Sequence, residues 1–279
     1  MAISKTIKQV LEEGTRFLAS KGKENARLEA EKLIAFGLGL SRVDIYLNFS
    51  KPLADNELQG LREHFKARAK GVPLQYIIGE VQFRYQNLKV NEHVLIPRPE
   101  TELIIDLALK ALKPGSRVLE LGSGCGCIAL AIAKEAQVKV YAVDISSHAI
   151  KVAEENALLN NTTDVKFFQS NWFEKISGKY DLIVSNPPYV SLSEYNDLPV
   201  EIKEHEPKQA VTDEADGLKC LKEIIGEAPK YLKDEGTIVL EIGFEQKDNV
   251  NKLLQKAGFK SISFEKDLAG KTRFAIACG

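Results

Sequence analysis

Val118-Leu119-Glu120-Leu121-Gly122-Ser123-Gly124-Cys125-Gly126-Cys127 decides the fold. A short apolar strand, Arg117–Leu121, enters a glycine-rich turn, and a helical stretch over Gly124–Glu135 follows. Glycines at such a turn admit positive φ and let a ligand approach the backbone. The dinucleotide fingerprint G-x-G-x-x-G needs its third glycine where this chain has Cys127, so that match fails. No Lys-Ser/Thr pair follows, which excludes a P-loop. A ligand without a pyrophosphate suits the turn better. Asp144 ends the next strand, at the spacing where a carboxylate accepts the ribose hydroxyls of a nucleoside. Glu120 adds negative charge near a candidate cation. A nucleoside, a cation and no phosphate together point to S-adenosylmethionine (SAM).

Outward from this turn, strands and helices alternate. Lys139–Val143, Val165–Phe168, Tyr180–Ser185 and Thr237–Ile242 read as strands. Ser146–Asn160, Gly217–Leu232 and Gln246–Ala257 read as helices, and Lys260–Phe264 with Arg273–Cys278 as paired final strands. Such alternation predicts an α/β fold with a mostly parallel sheet covered by helices.

The fourth strand runs into Asn186-Pro187-Pro188-Tyr189. Ligands of open α/β sheets bind beyond the carboxyl ends of the strands. Pro187 pushes Asn186 toward extended geometry, and two prolines stiffen the loop. It therefore presents an amide, backbone carbonyls and an aromatic ring. That set suits methylation of a planar nitrogen, whose delocalised lone pair makes it a poor nucleophile. Acceptors on both N–H bonds, the Asn186 side-chain oxygen and the Pro187 carbonyl, would orient it and stabilise developing positive charge. Tyr189 is expected to pack against the flat substrate group. As a structural alternative, the loop is a proline-rich turn and nothing more.

Residues 1–72 read as helices. Ile3, Ile7, Val10, Leu11, Phe17 and Leu18 make one apolar face. Asn25 is expected to cap a second helix carrying Leu28, Leu33 and Ile34, Ser41 a third, and Asp55 to open a fourth that ends at Gly71. This region carries 13 Lys+Arg against 9 Asp+Glu, and the remainder 25 against 30. The mild basicity fits either a solvated face or a docking surface for a large acidic partner. Residues 73–96, rich in β-formers, read as a hairpin. The resulting division is a helical substrate-recognition domain (1–72), a β-hairpin linker (73–96) and a catalytic domain (97–279).

The 279 residues, 44% hydrophobic and 28% charged with net charge −1, exclude disorder and argue against a nucleic-acid coat protein. No apolar run approaches the roughly 20 residues that span a bilayer, and the N-terminus lacks a signal-peptide pattern. Four cysteines make no disulfide framework, and Cys125 and Cys127 have no second Cys/His pair at zinc spacing, so no metal is expected. His64, His93, His148 and His205 flank no nucleophile. The reading is a cytoplasmic protein.

The catalytic part resembles class I SAM-dependent methyltransferases of the amino-methylating branch. Within that branch, the chain resembles the HemK/PrmC family of peptide chain release factor glutamine N5-methyltransferases. Pro73-Leu74-Gln75-Tyr76-Ile77-Ile78-Gly79, Phe83, and Leu95-Ile96-Pro97-Arg98-Pro99-Glu100-Thr101-Glu102 carry the likeness. So do Asn171-Trp172-Phe173, Glu206-Pro207 with Ala210, and Asp216-Gly217-Leu218. The resemblance implies that Gly122, Ser123, Gly124, Cys125 and Gly126 line the methionine end of SAM, with S-adenosylhomocysteine as product. Asp144 would hold the ribose and Trp172 lie beside the adenine. Asn186 would touch cofactor and substrate, and Asn186, Pro187, Pro188 and Tyr189 would hold the glutamine amide. Arg98 and Glu102 would help shape the pocket, or form an exposed ion pair. Cys125 and Cys127 replace the Thr and Ala common in the family. The implied substrate is the glutamine of the Gly-Gly-Gln segment of release factors, bound by a monomer with no stable nucleic acid and no membrane. Rival readings are methylation of nucleic-acid amino groups, of a ribosomal-protein glutamine, or SAM binding without catalysis.

Overall fold

The computed structural model describes residues 5–279 and divides into two compact units. Ile3, expected on the first helix's apolar face, lies outside the described residues. Residues up to Gly79, joined by Val200–His205, form the first unit; Glu80–Pro199 and Glu206–Gly279 form the second. No helix among the described residues is long and apolar enough to cross a membrane.

The first unit contains helices α1 (Ile7–Ser20), α2 (Ala26–Leu38), α3 (Arg42–Leu47), α4 (Asp55–Ala69) and α5 (Leu74–Ile78). Thr6 and Ser41 begin α1 and α3 with reciprocal capping boxes. Gly39 ends α2 in the left-handed region, at φ 62°. Asn25 precedes α2 but makes no side-chain cap, because its backbone (φ −98°, ψ 37°) is not the extended geometry a cap needs. Ile7, Leu11, Leu18, Leu33, Ile34, Ile45 and Leu61 form the core. Phe17 and Leu28, expected in that core, are 37% and 38% exposed, at the margin of their helices' buried faces.

The second unit opens with an antiparallel hairpin, β1 (Glu80–Phe83) and β2 (Gln86–Lys89). The stretch 73–96 is thus split: Leu74–Ile78 is helical and packs with Leu74 and Ile77 on the first core, and only Glu80–Lys89 pairs as strands. After a 3-10 turn at Pro99–Thr101 come α6 (Glu102–Ala111), β3 (Arg117–Leu121), α7 (Cys127–Ala136), β4 (Lys139–Asp144) and α8 (Ser147–Leu159). Then follow β5 (Val165–Gln169), β6 (Tyr180–Ser185), α9 (Leu192–Asp197), α10 (Val200–His205) and α11 (Lys208–Val211). The chain ends with α12 (Lys219–Tyr231), β7 (Leu232–Glu241), α13 (Lys247–Lys256), β8 (Ser261–Lys266) and β9 (Thr272–Cys278). Helix α7 starts at Cys127, not at Gly124, because Gly124 and Gly126 have φ of 53° and 85°, outside helical space.

The sheet has seven strands in the order β5-β4-β3-β6-β7-β9-β8. All neighbours are parallel except β9, which is antiparallel to β7 and β8. The α/β reading with a mostly parallel sheet and a small helical N-terminal region holds. From β3 the chain proceeds outward through β4 and β5, then crosses to β6 on the other side of β3. That reversal makes a crevice at the carboxyl ends of β3 and β6, where open sheets bind ligands.

Candidate active site

Register brings the two motifs together. Leu121, the last residue of β3, pairs with Val143 of β4 and with Ser185 of β6. Gly122, Asp144 and Asn186 are the next residues on three adjacent parallel strands. The Ser185 hydroxyl donates to the Leu121 carbonyl at 2.6 Å, tying the two strand ends together. A cavity of about 780 Å³ opens there. Its wall includes Gly122, Ser123, Gly124, Cys125, Asp144, Trp172, Asn186 and Pro188, together with Glu120, Arg98 and Thr101.

The glycine turn is held from beneath. Gly122 and Ser123 donate their N–H groups to the Val143 carbonyl at 2.8 and 2.9 Å. Gly122 has φ 75°, and a Cβ there would lie 3.6 Å from the Trp172 ring, so the glycine backbone packs close beside the indole. Gly126 is not on the wall. It begins α7 at φ 85°, against Phe167 and Ala153. Asn156 on α8 is fully buried; its amide donates to the carbonyls of Cys125 and Lys89 and accepts from the Lys89 N–H. This one side chain joins the turn to the hairpin.

Two carboxylates face the turn. Asp144 accepts the Gly124 N–H at 2.8 Å and the Ser146 N–H at 2.9 Å. Burial raises its pKa above the usual aspartate range, against the pull of those bonds. Glu120, 1% exposed, accepts the Ala129 N–H at 3.0 Å and so satisfies an orphan donor in the first turn of α7. Burial, then the charges of Cys125 and Asp144, push its carboxyl well up. A cationic ligand is the natural counterweight to such a pair.

The Asn-Pro-Pro-Tyr loop has a polar underside that the sequence did not reveal. The Asn186 amide donates to the Thr101 hydroxyl at 3.4 Å. Thr101 donates to Glu241, at the end of β7, at 2.8 Å, and the Tyr189 hydroxyl donates to the other Glu241 oxygen at 3.1 Å. Pro187 and Tyr189 are not on the cavity wall; the Tyr189 ring packs on the sheet's core. Burial, then the neighbouring Glu241 charge, raises the Tyr189 pKa.

Arg98 and Glu102 part company. Arg98 lines the cavity and pairs at 2.6 Å with Glu206, whose side chain is 2% exposed and also accepts the Ile96 N–H. The pair is therefore not an exposed one. Glu102 is off the wall and accepts the Arg84 N–H at 3.0 Å, steadying the hairpin turn where Arg84 has φ 48°. Glu241 and Asn156 have no local signature; Thr101 and Glu206 lie in stretches that carry the resemblance, but the partners of all four are distant in sequence.

Comparisons agree with this geometry. Residues 101–201 match the methyltransferase small domain model, and residues 9–79 the PrmC N-terminal domain model. The release factor glutamine methyltransferase of Geobacter sulfurreducens is 41% identical over 256 residues, covering 91% of this chain and 90% of its own. That of Bacillus subtilis is 38% identical, covering 98% of each chain. Among solved structures, a Pyrococcus furiosus methyltransferase superposes with TM-score 0.54 at 20% identity, covering 81% of this chain and 98% of its own. The hMettl16 catalytic domain superposes with TM-score 0.58 at 17% identity, covering 78% and 82%. These two likenesses concern the fold. The chain belongs to the release factor glutamine methyltransferase family, with a methyltransferase domain preceded by a PrmC-type N-terminal region.

Proposed function

We propose that this enzyme transfers a methyl group from SAM to the side-chain amide nitrogen (N5) of the glutamine in the Gly-Gly-Gln segment of peptide chain release factors, modulating translation termination. One observation carries the reading: the glycine turn and the Asn-Pro-Pro-Tyr loop leave neighbouring strands β3 and β6 at paired residues and share one cavity. Relatives bearing the name release factor glutamine methyltransferase along nearly the whole chain support the substrate. The reading includes action as a monomer in the cytoplasm.

The residues present fit SAM. Trp172 on the cavity wall offers an apolar face to a base, Asp144 can accept ribose hydroxyls, and a sulfonium beside the buried Glu120 would favour its ionised form. The buried Ser123 hydroxyl lines the cavity without a partner of its own, ready for a polar ligand group. When bound, the cofactor supplies an electrophilic methyl group. The protein contributes position and electrostatics. The Asn186 Oδ1 accepts one N–H of the substrate amide and favours charge developing on its nitrogen; the Pro187 carbonyl, off the cavity wall, must turn toward the cavity to accept the second. Tyr189 is no base, because its raised pKa keeps it protonated and its proton faces Glu241. The amide proton therefore leaves to water after the nitrogen has gained charge.

The test is incubation with SAM and a purified bacterial release factor, followed by peptide mass spectrometry. A single methyl on the Gly-Gly-Gln glutamine is expected. Asn186→Ala should lower turnover about 100-fold, as loss of one preorganised hydrogen-bonding group does, while SAM still binds. Equal losses in turnover and SAM affinity would refute the role of Asn186. Methylation of RNA or a ribosomal protein, with that peptide unmodified, would refute the substrate.

A further inference from the structure

An amide has two ends of opposite polarity, and only one serves the reaction. If Asn186 presented its NH2 to a glutamine NH2, donor would face donor. What fixes the orientation runs from Thr101 on the cavity wall to Glu241 and Tyr189, which are off it. Tyr189 and Thr101 each donate a hydroxyl proton to Glu241, so the Thr101 oxygen has only lone pairs left for Asn186. The Asn186 Nδ2 is the donor that those lone pairs accept, over 3.4 Å. Every proton in the chain Asn186–Thr101–Glu241–Tyr189 is thereby assigned a direction, and the sink is the carboxylate. Hydrogen bonds of this length are common in unliganded sites and tighten on substrate binding.

The burial of the carboxylate sharpens the point. Glu241 and Thr101 are each 2% exposed, and the hydrogen bonds of Glu241 come from two hydroxyls. Burying a charge is costly, and apolar replacements of buried polar groups are often neutral for stability. The role of a buried acceptor at this place is therefore sought in what it orients. We propose that Glu241 and Thr101 are positioning residues that set the polarity of the Asn186 amide, holding its oxygen toward the substrate nitrogen. This inference rests on the glutamine-methylation reading and deepens it.

Glu241→Gln is the discriminating change because it keeps shape and alters only proton placement. A glutamine must donate from its own NH2 to one hydroxyl. When that hydroxyl is Thr101's, the Thr101 proton turns to Asn186 and the amide inverts. Thr101→Val removes the link at constant shape, and Thr101→Ser retains it. The experiment uses the full chain with SAM and a purified release factor. It reads kcat, KM for the release factor, SAM affinity by calorimetry and thermal midpoint. The expected result is a kcat about 100-fold lower in Thr101→Val, with a smaller loss in Glu241→Gln, whose amide can also turn its oxygen to Thr101. KM and SAM affinity should hold, and Thr101→Ser should restore kcat. Full kcat in both impaired variants overturns the relay, as does a kcat loss that only tracks lost stability and lost SAM binding. If Glu241→Gln does not fold, the Thr101 pair decides alone. Absence of glutamine methylation by the unaltered enzyme overturns the function reading and the relay with it. Turnover indifferent to these changes overturns the relay only.

Discussion

Both oxygens of Asp144 are engaged before any ligand arrives, one with the Gly124 N–H and one with the Ser146 N–H. Each carboxylate oxygen has a second lone pair, so the group can fix the glycine turn and still accept ribose hydroxyls. An asparagine keeps one acceptor and loses the charge. Hydrogen bonds to charged groups contribute about 1.5–3 kcal/mol, so Asp144→Asn should weaken SAM binding roughly tenfold to a hundredfold, measured by calorimetry. The same carboxyl has a pKa raised by burial above the ordinary 3.8. Protonation removes the acceptor, so SAM affinity should fall with decreasing pH and begin to do so above 3.8. That pH dependence should be absent in Asp144→Asn. Asn156 is the other residue on which the turn depends. Asn156→Leu strands the Cys125 carbonyl and both polar groups of Lys89, at about 1–3 kcal/mol for each group left buried. A lowered thermal midpoint together with weaker SAM binding is the expected result.

Among the elements, the readable ones are those whose signal is local. Strand, glycine turn and helix follow one another at β3–α7, and strand and proline loop at β6. The alternation gives the sheet, and the sheet places both loops at one edge. Helix α6, ten residues long, buries Ile104, Ile105, Leu107 and Ala108 on one face, a helical spacing that the sequence reading misses. Helices α9, α10 and α11, of six, six and four residues, are too short to carry a period. Glu241 becomes a site residue only because β7 lies beside β6, and Thr101, though within the Leu95–Glu102 stretch, meets it only because the turn before α6 reaches the same place; no local pattern encodes that meeting. The start of α7 tests how far the local signal goes. Gly126 is needed both for φ 85° and for space, since a Cβ would meet the Phe167 ring at 3.0 Å and the Ala153 Cβ at 3.2 Å. Gly126→Ala should destabilise the second unit by about 2 kcal/mol, from left-handed strain and crowding together. Urea unfolding followed by Trp172, the chain's one tryptophan, reads this directly.

At the scale of the molecule, one short helix is out of sequence with its surroundings. The chain leaves the second unit after Pro199, places α10 in the first, and returns at Glu206. Charge holds α10 there. Arg68, 5% exposed, pairs with Glu29 at 2.8 Å and with Glu201 of α10 at 2.9 Å, and Lys23 also bonds Glu201. Removing one member of such a cluster leaves charge buried without its partner, at a cost of about 3 kcal/mol. Arg68→Met should therefore unfold the first unit at lower urea. Far-UV circular dichroism, which sees the helices of both units, should then change before the fluorescence of Trp172, which sits in the second. Coincident transitions in this variant would mean that the two units do not unfold separately. Acid offers an independent reading of the same cluster. Burial pushes the Glu201 carboxyl up, but hydrogen bonds from Lys23 and Arg68 outweigh it and hold the pKa below the ordinary 4.5. A carboxyl whose pKa is lowered on folding stabilises the fold above its unfolded value and loses that contribution as pH falls through the folded one. With Arg68 replaced, Lys23 alone depresses Glu201, so the stabilisation is smaller and its loss is complete at a higher pH. Acid unfolding of the first unit, followed by circular dichroism, should move to higher pH in Arg68→Met, and an unmoved acid transition would show that the ion cluster contributes nothing to holding α10.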